Sequence, residues 1–412
     1  MSYSKTVLPN GLRVVTERIE NVRSVCLGVC IVQGARDETD SESGISHMIE
    51  HLIFKGTRKR TAKDIAIQVD SIGGELNGFT AHEFTYFYAR CMDEHFEFVW
   101  DILSDIVKNA KFESDQIELE RNVILEEIKS FNDSPSEQAL HILSQLLFDS
   151  HPFARSIAGS EDNVKRFSQE DILKFRNSHY KAPGIIAVAS GAIQHKNFAE
   201  LVSKTLKFSK ETLSARNNVL PKKLSSKIRQ LEKKDISQIH LAMGTKSIEY
   251  KNKDRYAWSI LTTIMGGGMS SRLFQRLREK EGLVYEALSF LELFSDTGIF
   301  GTYLVTDPKN VNKAIDCVWD EFDQLRKNGL EKKELIRTKG QLKGNLMLSL
   351  ESTSSRVASL LTNEMHLGKY VSPEETIRNI DKVSADDVLS IADKYLIPEI
   401  YAISKVGPLN QK

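Results

Sequence analysis

Two histidines and a glutamate within five residues are the strongest indication of chemistry in this sequence. His47, Glu50 and His51 form an H-x-x-E-H string inside the segment GISHMIEHLIFKGT. Positions four residues apart share one face of a helix, so both imidazoles can bind one Zn²⁺ and leave room for a third protein ligand and a water. Glu50 stands beside the second histidine, where it can accept a proton from that water. The pattern therefore predicts a catalytic metal site.

The same segment also has a purely structural interpretation. Its apolar positions recur with helical spacing and form a stripe: Ile45, Met48, Ile49 and Leu52. An amphipathic helix with two incidental histidines is therefore the alternative. A motif with three fixed positions also arises by chance. A candidate for the third ligand elsewhere in the sequence would therefore strengthen the prediction of a metal site.

A second acidic string supplies a candidate for that ligand. Glu120 and Glu127 are seven residues apart in ELERNVILEEI and would stack two turns apart on one helix face. Apolar residues border that face, and carboxylates beside an apolar stripe are costly unless a charge compensates them. We predict Glu127 as the third metal ligand and Glu120 as a carboxylate that orients the site. Glu126 is the alternative to Glu127, and a solvated charged face is the structural alternative for the whole string.

Size and composition are those of an ordinary globular protein. The 412 residues are 41% hydrophobic and 27% charged, with 56 basic and 56 acidic side chains. Such a chain can form two or more domains, and its balanced charge favours neither nucleic acid nor a membrane as a partner. No apolar run has the length of a signal or a membrane span, and the four cysteines are too few for a disulfide framework. These features predict a cytoplasmic protein.

The order of predicted elements repeats along the chain. In each half an apolar strand precedes a helix, an aromatic strand pair and further helices. The stretches 112–134 and 330–352 align with an offset of 218 residues, and Tyr180 aligns with Tyr395 at an offset of 215. A repeat this long indicates duplicated domains rather than a solenoid. We predict an α+β fold of two duplicated domains, each a mainly antiparallel sheet flanked by helices.

The repeat also predicts domain boundaries. The polar, basic stretch between the halves has no hydrophobic pattern, so we predict a linker at 214–234. The N-terminal domain, 1–213, would bind the metal, and the C-terminal domain, 235–412, would be a degenerate copy. The second half has no H-x-x-E-H string, and Asn345 stands where the alignment places Glu127. Metal chemistry is therefore expected in the first domain alone.

Together these residues resemble the pitrilysin/insulinase family of inverted-zincin zinc metallopeptidases, in particular its mitochondrial-processing-peptidase-like bacterial subunits. The likeness extends from LPNGLRVV to the C-terminal strand. It rests on H-x-x-E-H followed by LIFKGT, on GGELNGFTAHEFTYFY, on the step from Glu120 to Glu127, on HPFARSIAG and on SSRLFQRLREKEGLVYEA. Gly78 stands where the family more often has alanine. The resemblance implies a zinc-dependent endopeptidase with one Zn²⁺ per chain.

The resemblance also implies roles that spacing alone does not give. Arg278 and Tyr285 match the family's Arg-Tyr pair, in which the tyrosine donates a hydrogen bond to the oxyanion and the arginine holds a substrate carbonyl. Without the resemblance, Tyr285 would be interpreted as a buried strand aromatic. Four substrate contacts are implied near the motif helix and on an edge strand: Phe54, Asn77, Phe79 and Thr80. An extended peptide would add to that edge, and a core position is the alternative for Phe79.

These inferences predict an enzyme that hydrolyses peptides or unfolded precursor segments, with Glu50 as the general base for a metal-activated water. Because one chain has both the zinc motif and the Arg-Tyr pair, we expect a homodimer, with a partner subunit as the alternative. A scaffold subunit on the same fold is the main alternative function, and the complete metal motif argues against it. A zinc hydrolase acting on another bond would need a small closed pocket. The sequence leaves the physiological substrate open.

Overall fold

Two β-sheets organise the residues that the computed structural model describes, which are 2–211, 216 and 226–408. The chain forms two compact units around these sheets, and each unit draws on three separate stretches of sequence. Unit 1 contains the described residues of 1–129, 155–217 and 349–370, and unit 2 contains those of 130–154, 218–348 and 371–412. These units follow packing, whereas the predicted domains 1–213 and 235–412 follow the sequence repeat and stay a prediction.

Unit 1 contains a six-stranded sheet. Its strands are β1 (Ser2–Val7), β2 (Arg13–Arg18), β3 (Ser24–Ile31), β4 (Glu75–Thr80), β5 (Thr85–Met92) and β6 (Ile185–Gly191). Their order across the sheet is β1-β2-β6-β3-β5-β4, and every neighbouring pair is antiparallel except β2 with β6. Strand β4 therefore lies at an edge, with one side of its backbone unpaired within the sheet.

Unit 2 contains a five-stranded sheet with the same plan. Its strands are β7 (Lys227–Glu232), β8 (Ile239–Ser247), β9 (Val284–Leu293), β10 (Gly298–Thr306) and β11 (Ala402–Gly407). The order β7-β11-β8-β10-β9, with one parallel pair at β7 and β11, repeats that of β2-β6-β3-β5-β4 in unit 1. The predicted α+β fold of two related, mainly antiparallel sheets flanked by helices is confirmed.

The helices flank these sheets, and most are amphipathic. In chain order the described α-helices are α1 (Ile45–Ile53), α2 (Ala62–Asp70), α3 (Phe96–Asn109), α4 (Ser114–Asp133), α5 (Pro135–Phe148), α6 (Glu161–Arg166), α7 (Gln169–His179), α8 (His195–Thr205), α9 (Arg255–Gly266), α10 (Val311–Asn328), α11 (Lys332–Ser349), α12 (Thr353–Leu367), α13 (Pro373–Lys382) and α14 (Ala385–Tyr395). A π-helical segment, Phe274–Lys280, lies between α9 and β9.

Strand β3 shows why helices pack on both faces of the unit 1 sheet. Its sequence SVCLGVCI is almost wholly apolar, and alternate residues of a strand point to opposite faces. Val25 and Leu27 belong to a large core that includes residues of α1, α3, α4, α7 and α8. Cys26 and Cys30 belong to a smaller core that α12 covers from the other face. Burial on both faces explains the continuous apolar run.

Each unit includes one helix from the other half of the chain. Helix α5 precedes the midpoint of the sequence but packs on β8 and β11 of unit 2, where Ile142 and Leu143 share a core with Ala242. Helix α12 comes from the second half and packs on β2, β3 and β6 of unit 1. The sequence pattern does not predict this exchange, because a helix is amphipathic whichever sheet it covers.

The predicted linker is wrong over part of its length. Residues 214, 215 and 217–225 lie outside the described residues, but 227–232 form strand β7, paired in parallel with β11. Five of the six side chains of β7 are exposed. Main-chain hydrogen bonds at a sheet edge hold this strand, so its sequence lacks the apolar alternation by which strands are predicted.

Two expectations from composition can be compared with the structure. All four cysteines are buried and free. Among the described residues, no helix is long and apolar enough to cross a membrane. Cytoplasmic location stays a prediction.

Shortening a buried side chain of α12 tests the role of this helix in unit 1. Leu360 is 2% exposed, in the core shared with β2, β3 and β6. We expect Leu360→Ala to lower the free energy of unfolding by about 2–5 kcal/mol, because it removes buried methyl groups and leaves a cavity. Urea denaturation measures this change. Ser359→Ala, at an exposed position of α12, should change it by less than about 0.5 kcal/mol, and equal effects would contradict the role of α12.

Candidate metal centre

Helix α1 places its two histidines on one face. It begins after Gly44, whose φ of +100° lies in the left-handed region that glycine adopts readily. The four-residue spacing brings the rings of His47 and His51 to a centroid distance of 4.6 Å. The opposite face of the helix is fixed in the core of unit 1 by Met48, Ile49 and Leu52.

Glu127 on α4 reaches both histidines. Its Oε2 atom lies 3.7 Å from Nε2 of His47 and 3.4 Å from Nε2 of His51. Ile124 and Ile128 are buried and anchor this part of α4, while the Glu127 side chain stays 46% exposed. One ligand atom from each of the three residues lies within 4.8 Å of the others.

The three donors fit a tetrahedral metal ion. Ligand atoms about 2.1 Å from a tetrahedral Zn²⁺ are about 3.4 Å from one another. The two distances from the Glu127 carboxylate to the imidazoles are close to that value. Two imidazoles and one carboxylate also form the ligand set of catalytic zinc sites that keep a fourth position open. The residues present can therefore hold such an ion.

A chain of polar contacts orients His51. Its Nδ1 atom lies 3.0 Å from Oε2 of Glu120, and the other oxygen of Glu120 lies 2.6 Å from Nζ of Lys55. Glu120 is buried, so the lysine supplies the positive charge that a buried carboxylate needs. A carboxylate on the remote nitrogen of a ligand histidine fixes the tautomer and the ring orientation. The sequence did not point to Lys55, because a lysine just after a helix belongs to no ligand pattern.

Glu50 lies beside the same three side chains. Its Oε2 atom lies 4.0 Å from Nε2 of His47 and accepts a hydrogen bond from the Thr80 hydroxyl at 3.2 Å. Burial raises the pKa of Glu50 above its ordinary value; His51 and Thr80 oppose this shift and Glu127 adds to it. Burial, helped by His51, lowers the pKa of His47 to about 4. His47 is thus held in the neutral form that binds metal ions.

The predicted substrate contacts lie on or beside the edge strand β4. Thr80 contacts Glu50, and Phe79 is 44% exposed, so the core alternative for Phe79 does not hold. Phe54 follows α1 and packs edge-on against Phe87, with ring centroids 6.2 Å apart. Phe54 and Asn77 line a cavity of about 520 Å³ beside α2. All four residues therefore lie on or beside the edge strand β4, and their role in substrate binding stays a prediction.

The predicted Arg-Tyr pair belongs to unit 2. Arg278 lies in the π-helical segment and Tyr285 near the start of β9. The guanidinium carbon of Arg278 is 5.6 Å from the centre of the Tyr285 ring, within the range of a cation–π contact. Tyr285 is 71% exposed, so it is not the buried strand aromatic of the alternative interpretation. The two side chains are adjacent, and the phenol is accessible to a ligand.

Two protein-family models match the chain. The model described as insulinase (peptidase family M16) matches residues 13–161, and the model described as peptidase M16 inactive domain matches 166–342. The chain belongs to the insulinase family. Within this insulinase chain, the stretch that matches the inactive domain is the one that lacks the H-x-x-E-H string.

Several relatives of this insulinase-family chain are named uncharacterized zinc proteases. One from Mycobacterium bovis is 34% identical over 99% of this chain and 94% of its own length. One from Bacillus subtilis is 34% identical over 97% of both chains. A third, from Rickettsia felis, is 33% identical over 99% of this chain and 98% of its own.

Solved structures share the fold. A protease from Helicobacter pylori superposes with a TM-score of 0.91 at 22% identity and covers 99% of both chains. A peptidase M16 inactive domain from Pseudomonas fluorescens gives a TM-score of 0.93 at 19% identity over 100% of both chains. At these identities the likeness shows the fold alone.

Glu126 and Glu127 form a matched pair for testing the third ligand. Glu127 faces the histidines, whereas the Glu126 side chain is 72% exposed and pairs with Lys129 at 2.7 Å. We expect Glu127→Gln to weaken Zn²⁺ binding by more than about 100-fold, because losing a ligand should cost more than losing one of its hydrogen-bond partners. Glu126→Gln should leave it unchanged. Competition with a chromophoric chelator measures both affinities, and the reverse pattern would assign the ligand to Glu126.

Proposed function

We propose that this protein is a zinc-dependent endopeptidase that hydrolyses peptides or unfolded precursor segments. The observation that carries the proposal is the convergence of His47, His51 and Glu127, with Glu50 beside them. Membership of the insulinase family and the names of its relatives support zinc protease chemistry. The proposal includes one Zn²⁺ per chain.

The side chains of unit 1 have distinct proposed roles. His47, His51 and Glu127 would hold the ion, and Zn²⁺ would supply the Lewis acidity that lowers the pKa of a water and polarises the scissile carbonyl. Glu50 accepts the proton of the attacking water at its carboxylate and later donates it to the leaving amine. Glu120 keeps the His51 ring in the orientation that binding requires.

The substrate is proposed to bind as an extended strand. The free edge of β4 offers main-chain groups to a peptide, and such pairing selects for an extended polypeptide rather than for a particular side chain. Phe79 and Phe54 would then contact substrate side chains. By family resemblance, Tyr285 would donate to the oxyanion and Arg278 would hold a substrate carbonyl. Their mutual contact and the exposure of the phenol support this assignment.

Assembly and location are also part of the proposal. One chain has both the metal motif and the Arg-Tyr pair, which favours a homodimer over an obligate pair of different subunits. A partner subunit is the alternative. We propose a cytoplasmic enzyme that resembles the processing peptidases of its family.

Replacing Glu50 separates metal binding from catalysis. Wild-type protein should contain zinc and cleave a quenched library of unfolded peptides, and a chelator should abolish the cleavage. We expect Glu50→Gln to retain zinc and to lower kcat/KM by about 10²–10⁴-fold, because the water loses its proton acceptor. Unchanged cleavage by this variant would exclude Glu50 as the general base. Wild-type protein that binds zinc but cleaves nothing would favour the scaffold role.

Removing one hydroxyl tests the oxyanion role. We expect Tyr285→Phe to lower kcat by about 10²–10³-fold with little change in KM, because a donor aimed at the oxyanion acts mainly in the transition state. Steady-state cleavage of one peptide identified in the library measures both constants. Tyr395→Phe, at a partly buried position that packs against the core of unit 2, is the matched control. A loss confined to KM would assign Tyr285 to substrate binding instead.

A further inference from the structure

The first turn of α1 is fastened by a glutamate that lies outside the helix. Oε2 of Glu38 accepts a hydrogen bond from the backbone N–H of Gly44, and Oε1 accepts one from the backbone N–H of Ser46, both at 2.8 Å. Glu38 is 4% exposed. Gly44 has no side chain with which to cap the helix, so Glu38 satisfies N–H groups that the first turn leaves unpaired.

Two residues of the segment HPFARSIAG, Arg155 and Gly159, contact the residues around Glu38 and Gly44. Arg155 donates a hydrogen bond to the backbone carbonyl of Glu38 and pairs with Asp40 at 2.7 Å. Gly159 packs so closely on Gly44 that a Cβ atom on Gly159 would lie 2.6 Å from the Cα of Gly44. This motif, which supplies none of the proposed metal ligands, therefore contacts the start of the helix that has two of them.

Burial disfavours the charged form of Glu38. Burial raises the pKa of Glu38 to about 8, and hydrogen bonds from Ser46 and Gly44 and the charge of Arg155 oppose the rise. The position of Glu38 is defined by geometry, because each of its two carboxyl oxygens accepts a hydrogen bond from a different backbone N–H group. The contacts of Glu38 are directed at α1.

We propose that Glu38 is a positioning residue for the metal centre, because it fixes the start of α1 and so aligns His47 with the other ligands. The inference rests on the proposed function. His47 directly follows Ser46, within the turn that Glu38 holds. His51 lies one turn later and is held separately by Glu120. Metal sites require ligands placed within about 0.5 Å, so fraying of the first turn should displace His47 and weaken metal binding.

Two substitutions of Glu38 test this role through Zn²⁺ affinity. Glu38→Gln keeps one acceptor, and Glu38→Met removes both at similar length. We expect Zn²⁺ binding to weaken about tenfold in the first and up to about 100-fold in the second, the range seen when groups that orient metal ligands are lost. Chelator competition, well below the Tm of each variant, gives the dissociation constants. The control is Glu42→Gln, which also removes an acceptor for a backbone N–H, that of Thr39, in an exposed turn.

The outcomes separate this inference from the proposed function. If both Glu38 variants lower the Tm but bind Zn²⁺ as tightly as wild type, Glu38 stabilises the fold alone and the inference is wrong. If Glu38→Met does not fold, the affinity of Glu38→Gln decides by the same criterion. Equal weakening by Glu42→Gln would also contradict a specific role. Wild-type protein without Zn²⁺ binding would overturn the metal centre itself, and the inference with it.

Discussion

Charge compensation beside α1 is the constraint on which the centre of unit 1 depends. The carboxylates of Glu50, Glu120 and Glu127 lie together on the edge of an apolar core. Lys55 neutralises Glu120, but the described contacts of the other two are a threonine hydroxyl and two imidazoles, and burial keeps His47 uncharged. A divalent cation among these groups would supply positive charge to the largely buried carboxylate of Glu50 and to the half-exposed carboxylate of Glu127.

Unit 2 has uncharged residues at the positions that correspond to two of these carboxylates. With the 218-residue offset of the sequence repeat, Thr338 and Asn345 of α11 stand where α4 has Glu120 and Glu127. Thr338 is buried, and a hydroxyl costs far less to bury than a carboxylate. Unit 2 therefore keeps the sheet plan of unit 1 without a need for a cation. Unit 2 also has the adjacent, exposed side chains of Arg278 and Tyr285.

The features that depend on short-range spacing, such as a helix and the residues on one of its faces, were predicted from the sequence. The helix predicted for the H-x-x-E-H string spans Ile45–Ile53. The seven-residue spacing predicted that Glu120 and Glu127 share one face of α4, and both carboxylates lie near His51. Strand β7 escaped prediction because an edge strand with exposed side chains has no apolar alternation. The exchange of α5 and α12 was not predicted, because an amphipathic pattern does not indicate which sheet a helix covers. Lys55 pairs with Glu120, which lies 65 residues later in the chain, and local spacing does not predict such a contact.

The exchange of helices sets the order in which a newly made chain can finish folding. All six strands of the unit 1 sheet are synthesised by Gly191, yet α12 ends at Leu367. At ordinary rates of synthesis the face lined by Cys26 and Cys30 is uncovered for roughly 10–35 s. During that interval the ribosome-bound chain already contains every proposed metal ligand beside a bare apolar sheet face. Apolar surface that is exposed during folding favours chaperone binding, and helix α12, from the last third of the chain, covers this face and completes unit 1.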